Sequence, residues 1–309
     1  MSRFPDNEWA LILGGSSGFG LATARKLSAE GLNVCVVHRD RRGAMERINR
    51  EFDAIRRHGR GFLALNLDAL SADGVTAVID ALRTALGEPG RVRVLLHSIA
   101  LGNLKLIAPG PGGAGPEPLE RLAGALGVAK GDLDAAVDRV ADSGETIFQA
   151  LRPVDYGTAI MDDEDMGRTI YSMGTSLLTW TQRLHAAGLF AADARVIGLT
   201  SEGNEVAWRG YAAVAAAKSA LESVSRAIAV EFAPHGIRSN IIQPGVTDTP
   251  ALRVIPGSAR MKAGAKMRNP FGRLTTPEDV ANVVFLLSLD EAGWINGALI
   301  RADGGEHVA

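Results

Sequence analysis

The chain has 309 residues, is 46% hydrophobic but only 5% aromatic, and carries a formal net charge of -2. That length admits two small domains or one large α/β domain, with a core of Ala, Val, Leu and Ile and no need of covalent staples. The near-neutral balance gives no basic field for a nucleic-acid partner, and no uninterrupted apolar run approaches the roughly 20 residues of a membrane span.

The opening stretch "MSRFPDNEW" lacks the apolar segment of a secretory signal. Behind it, short apolar runs alternate with longer helical patterns, the signature of βαβ units and a parallel sheet. "WALIL" at 9–13 is the first expected strand, followed by a helix over "GLATARKLSAEG" at 20–31. "NVCVV" at 33–37 and "GFLAL" at 61–65 are the second and third strands. Cys35, the single cysteine, lies in the second and has no internal disulfide partner, which fits a soluble cytoplasmic protein. "RVRVLLHS" at 91–98 is the fourth strand and "ARVIGLTS" at 194–201 the fifth. "GIRSNIIQ" at 236–243 and "GALIRAD" at 297–303 close the set. No tandem repeat and no dividing linker interrupts the pattern, so residues 1–309 read as a single α/β domain.

One stretch, at about 103–165, breaks the rhythm. "APGPGGAGPEP" at 108–118 reads as a loop, and in "GDLDAAVDRVADSGETIFQAL" Asp132 can cap a helix with apolar residues at helical spacing. Roughly sixty residues then separate the fourth strand from the next long helix, against the roughly 2–6 usual for a βα loop. An insertion leaving the carboxyl end of a strand stands where ligands bind, so a lid or wall of the substrate cleft is expected. A surface excursion without function is the alternative.

"LGGSSGFG" at 13–20 joins the first strand to the first helix. Its glycines let the backbone take positive φ and approach a phosphate, while helix-terminal N–H groups hold the negative charge. Gly14, Gly18 and Gly20 are the spacing residues, with Ser16, Ser17 and Phe19 between them. In this the chain resembles the short-chain dehydrogenase/reductase family, whose loop reads Thr-Gly-x-x-x-Gly-x-Gly, although Leu13 replaces the threonine. The resemblance implies a Rossmann fold, a doubly wound parallel sheet flanked by helices, with a nicotinamide cofactor. "QPGVTDTP" at 243–250 looks like the family's Pro-Gly-x-x-x-Thr segment, which implies cofactor contacts from Pro244, Gly245, Val246, Thr247 and Thr249. "RADGGE" at 301–306 looks like its C-terminal turn.

The second strand ends in "VHRDRRG". An acidic side chain there suits a ribose 2′-OH and an arginine a 2′-phosphate. His38 takes the usual acidic place and Arg39 follows, which points to NADPH (NADP), although a shifted register would bring Asp40 to the ribose. Residues 39–60 hold eight arginines against four acids, so part of this charge can equally be a solvated helix face. "LNLDA" at 65–69 is the expected adenine pocket, with Asn66 the foremost polar contact and Leu67 beside it.

In "GYAAVAAAKSALES" at 210–223, Tyr211 and Lys218 are seven apart. On a helix this returns to nearly the same face, with Tyr211 about 4.5 Å further along the axis than a spacing of four would give. A phenol with pKa about 10 is a poor acid–base group near neutrality, and a nearby ammonium is expected to lower it. Lys218 can also anchor the nicotinamide ribose hydroxyls. Ser201 at the end of the fifth strand can hydrogen-bond a substrate oxygen, with Thr200 its competitor. Within the family, Tyr-x6-Lys is similar to the enoyl-acyl-carrier-protein reductases. "LLHSIALG" at 95–102 strengthens that likeness and implies cofactor contacts from Ser98, Ile99 and Ala100, with His97 structural. "RNPFGRLTTPEDVANVVFLLS" at 268–288 looks like their C-terminal region.

These residues together predict NADPH-dependent reduction of a trans-2-enoyl thioester, with a carbonyl or 3-oxoacyl reductase as the alternative. A catalytically silent NADPH sensor is a third class, against which Tyr211 and Lys218 speak. No metal is called for, and the resemblance implies a homotetramer. Arg260, Lys262, Lys266 and Arg268 place four cations within nine residues after the Pro-Gly motif. They suit an acidic partner such as an acyl-carrier protein, or else form a solvated loop.

Overall fold

The computed structural model describes residues 3–109, 117–142, 145 and 147–309. The apolar runs form seven strands: β1 (Glu8–Leu13), β2 (Asn33–His38), β3 (Phe62–Asn66), β4 (Arg91–His97), β5 (Phe190–Leu199), β6 (Ile237–Pro244) and β7 (Leu299–Ala302). They make one sheet in the order β3-β2-β1-β4-β5-β6-β7, every neighbouring pair parallel. Strands such as β2, buried at each position, read as continuous apolar runs because helices cover both faces. β5 begins at Phe190, four residues before the expected start, because Phe190 pairs with Val92 across a register shift between Val92 and Val94.

The helices are α1 (Gly18–Ala29), α2 (Met45–Arg56), α3 (Ala72–Leu86), α4 (Pro118–Leu126), α5 (Lys130–Asp142), α6 (Asp163–Ile170), α7 (Ser176–Ala186), α8 (Ala212–Glu231), α9 (Pro250–Arg253), α10 (Ser258–Arg268) and α11 (Pro277–Ser288). One core layer lies under α1, α2 and α11, through Leu27, Phe52 and Val284. The other lies under α3, α7 and α8, through Val78, Trp180 and Leu221. A π-turn at Tyr171–Thr175 joins α6 to α7. There a Cβ on Gly174 would stand 2.5 Å from the Ala217 carbonyl oxygen, so only glycine lets the π-turn and α8 approach this closely.

Among its described residues, the insertion contains both α4 and α5 where one helix was expected. Residues 110–116 of the predicted 108–118 loop lie outside the described residues. Asp132 sits inside the first turn of α5 instead of capping it, since its N–H already bonds to the Ala129 carbonyl. The cation-bearing segment after the Pro-Gly motif, expected as a loop, is helix α10; Ala, Lys, Met and Arg are strong helix formers even without an apolar stripe. Among the described residues, no helix is long and apolar enough to cross a membrane.

Candidate active site

Strand order reverses between β1 and β4, and a groove opens at the carboxyl ends of these strands. Gly14, Ser16, Ser17, Gly18, Phe19, Arg39, Leu67, Ser98, Ile99, Ala100 and Thr249 line it. Gly14 and Gly18 adopt φ of 84° and 51°, the left-handed region open to glycine. A Cβ on Gly14 would lie 2.5 Å from the Ser98 carbonyl oxygen. The N-cap of α1, Ser17, makes no side-chain cap bond, and the first turn holds no acid. Its N–H donors are thus directed at the groove without a side-chain acceptor, which fits a bound phosphate.

Two expected contacts have other duties. Gly20 does not line the groove; its missing Cβ would stand 2.1 Å from the Gly14 carbonyl oxygen, so it packs α1 against the loop. The Asn66 amide accepts from Asp40 N–H at 3.0 Å and donates to the Asp40 carbonyl at 3.0 Å, bracing the turn after β2. Asp68, two residues on in the same "LNLDA" segment, lines the groove in its place. Arg39 does line the groove, with its guanidinium 3.0 Å from the Asp68 carboxylate. His38 is buried, and its Nδ1 lies 2.9 Å from the Asp40 carboxylate.

Beside this groove a second cleft holds Tyr211, Ser201 and Lys218 together. Pro244, Gly245, Val246, Thr247 and Thr249 form one wall, and Leu104, Met173, Trp208, Leu252, Ile255 and Met261 give it a largely apolar lining. Tyr211 is not within α8 but at its N-cap, with φ -111° and ψ 4°. The wide spacing therefore puts the phenol at the mouth of the helix, where Trp208 packs edge-on at a ring distance of 5.2 Å. Ser201 Oγ stands 3.4 Å from Tyr211 Oη. Thr200 instead gives its hydroxyl to Glu222, which removes it as a competitor.

Lys218 is buried and donates from Nζ to the Leu199 carbonyl at 2.8 Å. Burial lowers its pKa to about 8, opposed by the charge of Glu222. Burial likewise raises the Tyr211 phenol above its ordinary value, opposed by the Ser201 hydrogen bond. The expected lowering of Tyr211 by Lys218 does not occur: burial governs the phenol and keeps it protonated. His97 is structural as expected, buried with Nε2 2.7 Å from Ser176 Oγ, and held uncharged with a pKa of about 3 by that burial.

Among the described residues, the insertion enters the cleft wall only near its start, through Leu104. Its later part stands behind α10: the Arg260 guanidinium donates to the Arg152 carbonyl at 3.0 Å, and the ring of Tyr156 lies 5.2 Å from the Arg209 guanidinium, two residues before Tyr211. Two of the four cations are paired with acids. Arg268 bridges Glu202 and Glu306, and Lys262 lies 3.5 Å from Asp248.

Sequence reasoning missed Asp68 in the groove, Trp208 in the cleft, and Glu222, which binds Thr200 and Asn204 beside the cleft. Glu222 had a readable signal, since four residues past Lys218 is the same helix face.

The family described as "short chain dehydrogenase" matches residues 8–108, and the one described as "Enoyl-(Acyl carrier protein) reductase" matches residues 116–307. The chain is similar to the short-chain reductase protein NovJ of Streptomyces niveus, at 28% identity over 304 residues, covering 96% of this chain and 92% of that protein. It is similar at 28% over 296 residues to a cis-4-hydroxycyclohexanecarboxylate dehydrogenase of Sinomonas cyclohexanicum, covering 96% and 95%. A solved short-chain dehydrogenase from Burkholderia cenocepacia J2315 in complex with NADP shares the fold, with a TM-score of 0.68, 22% identity and coverage of 97% and 98%.

Proposed function

The chain belongs to the short-chain dehydrogenase/reductase family, and from that premise we propose that it reduces the carbon–carbon double bond of a trans-2-enoyl thioester with NADPH. The observation that carries this reading is the placement of Tyr211 at the N-cap of α8, seven residues from Lys218, with its phenol kept protonated by burial.

The Gly14–Gly18 loop and the N-terminus of α1 would hold the phosphates of a nicotinamide dinucleotide, which when bound would supply a hydride, and Lys218 would donate to its nicotinamide ribose. Tyr211 would donate a hydrogen bond to the thioester oxygen as hydride reaches C3 and enolate charge develops there, a form of oxyanion stabilisation, and solvent would supply the proton that C2 takes. Ser201, 3.4 Å from that phenol, is placed to donate to the same oxygen. The apolar lining beyond Trp208 receives the acyl chain and excludes water.

A second reading is a carbonyl reductase or alcohol dehydrogenase, favoured by the relative named for a hydroxycyclohexanecarboxylate. Alcohol oxidation needs the phenolate as base, which burial of Tyr211 disfavours near neutral pH. The test is NADPH oxidation with a crotonyl thioester against NADP+ reduction with a 3-hydroxybutyryl thioester, both at pH 7. The proposal expects the first kcat/KM to exceed the second by at least about tenfold, about 1.4 kcal/mol of transition-state preference. Faster NADP+ reduction would transfer the assignment to the second reading.

Selection of NADPH is assigned to Arg39, which leaves Asp68 for the 2′-phosphate. Arg39→Ala is expected to raise KM for NADPH by about tenfold or more and to change KM for NADH little, since a charge-assisted phosphate contact is worth about 1.5–3 kcal/mol. A wild-type protein that uses NADH with equal or better kcat/KM contradicts the assignment.

A further inference from the structure

We propose that Glu222 is a positioning residue for this site: it fastens the Ser201-bearing loop to α8 and sets its carboxylate on the same helix face as Lys218. The proposal rests on the cofactor-anchoring role given to Lys218 above.

Lys218 and Glu222 are i and i+4 on α8, so they lie one above the other on one face. Each fastens the end of β5 at a different point. Lys218 Nζ donates to the Leu199 carbonyl at 2.8 Å. One residue on, Thr200 donates its hydroxyl to Glu222, and Asn204 Nδ2 donates to the same Glu222 oxygen at 2.6 Å. Ser201 lies between these two donors. Its position opposite Tyr211 therefore depends on a carboxylate that lies across the loop from it.

The electrostatic side follows from what surrounds Lys218. Glu222 faces it from its own helix, and His97 from β4 is held uncharged. Across the cleft, Tyr211 is protonated and Glu202 is paired with Arg268. Glu222 is thus the anion that opposes the burial of the ammonium. Its removal leaves burial unopposed, and the amine loses its proton at lower pH.

The two duties separate by substitution. Glu222→Gln keeps the shape and an acceptor for Thr200 and Asn204 but removes the charge. Asn204→Ala keeps the charge and removes one fastening. NADPH binding is read by nucleotide fluorescence from pH 6.5 to 9.5, with a melting temperature for each variant. Wild-type affinity is expected to weaken as pH rises through about 8. In Glu222→Gln the weakening is expected about one pH unit lower. Asn204→Ala should keep the wild-type midpoint and show a lower kcat at unchanged KM for NADPH. Should Glu222→Gln fail to fold, Glu222→Asp carries the test, with a midpoint within a few tenths of a unit of wild type.

A Glu222→Gln profile superposing on wild type overturns the proposal, as does an equal loss at every pH. So does an Asp variant whose midpoint falls a full unit. Because the readout is NADPH binding, a protein that shows this profile but leaves crotonyl thioesters untouched sinks the enoyl reading and leaves the Glu222 assignment standing. Failure of the wild type to bind NADPH at any pH overturns the role of Lys218 and the proposal with it.

Discussion

Tyr211→Phe is expected to lower kcat for a crotonyl thioester by about 10²–10³-fold while leaving NADPH affinity within about twofold, the scale set by loss of one oxyanion donor. The substitution removes one oxygen from a buried ring that keeps its contact with Trp208, so the fold has no reason to change. Ser201 remains as the second donor to that oxygen, so the expected loss is that of one donor of two. Stopped-flow measurement of hydride transfer separates chemistry from product release. A loss below about tenfold in that step would mean that another group supports the developing charge.

Asp193→Ala is expected to cost about 3 kcal/mol of stability, measured by urea unfolding at pH 7. Arg195 is 1% exposed, and both of its terminal nitrogens reach the Asp193 carboxylate. Arg93 and Arg238 converge on the same group. Removing the acid leaves a buried guanidinium short of its partner; the figure is set at the low end because the Asp193 side chain is 36% exposed and solvent screens it. Burial alone would raise the Asp193 pKa, but the hydrogen bonds from Arg195 and the three arginine charges outweigh it and hold the carboxyl below its ordinary value. A depressed carboxylate stabilises the fold above its unfolded pKa, and that contribution is lost as pH falls through the lower folded value. Wild type should therefore lose stability below about pH 4 more steeply than the variant. A variant with wild-type stability at pH 7 would show that these arginines are satisfied without Asp193.

The seven strands were legible because burial on both faces writes itself as an apolar run. The phosphate loop was legible because two of its glycines must take positive φ, a demand that few other residues meet. What sequence could not give was where side-chain hydrogen bonds end. Asn66 and Asp68 are both polar residues at the end of one strand, and only the turn after β2 shows that Asn66 is spent on Asp40. The pairing of Lys262 with Asp248, and of Arg268 with Glu202 and Glu306, was hidden in the same way. The spacing of Tyr211 and Lys218 pointed to one cleft, which both line, but assumed a helix through both. The helix begins after the tyrosine, and burial of its ring reverses the expected direction of its pKa.

The central claim is that Tyr211 at the mouth of α8 serves an enoyl thioester in preference to a ketone. In an enoyl thioester the electrophilic carbon lies two bonds beyond the carbonyl carbon, so the donor must stand further from the nicotinamide than one serving a ketone under direct attack. The most direct test offers equimolar crotonyl and acetoacetyl thioesters in one reaction with NADPH deuterated at C4 of the nicotinamide. The product ratio then reports the ratio of the two kcat/KM values. The account predicts butyryl thioester labelled at C3 in at least about tenfold excess. A majority of labelled 3-hydroxybutyryl thioester would contradict it.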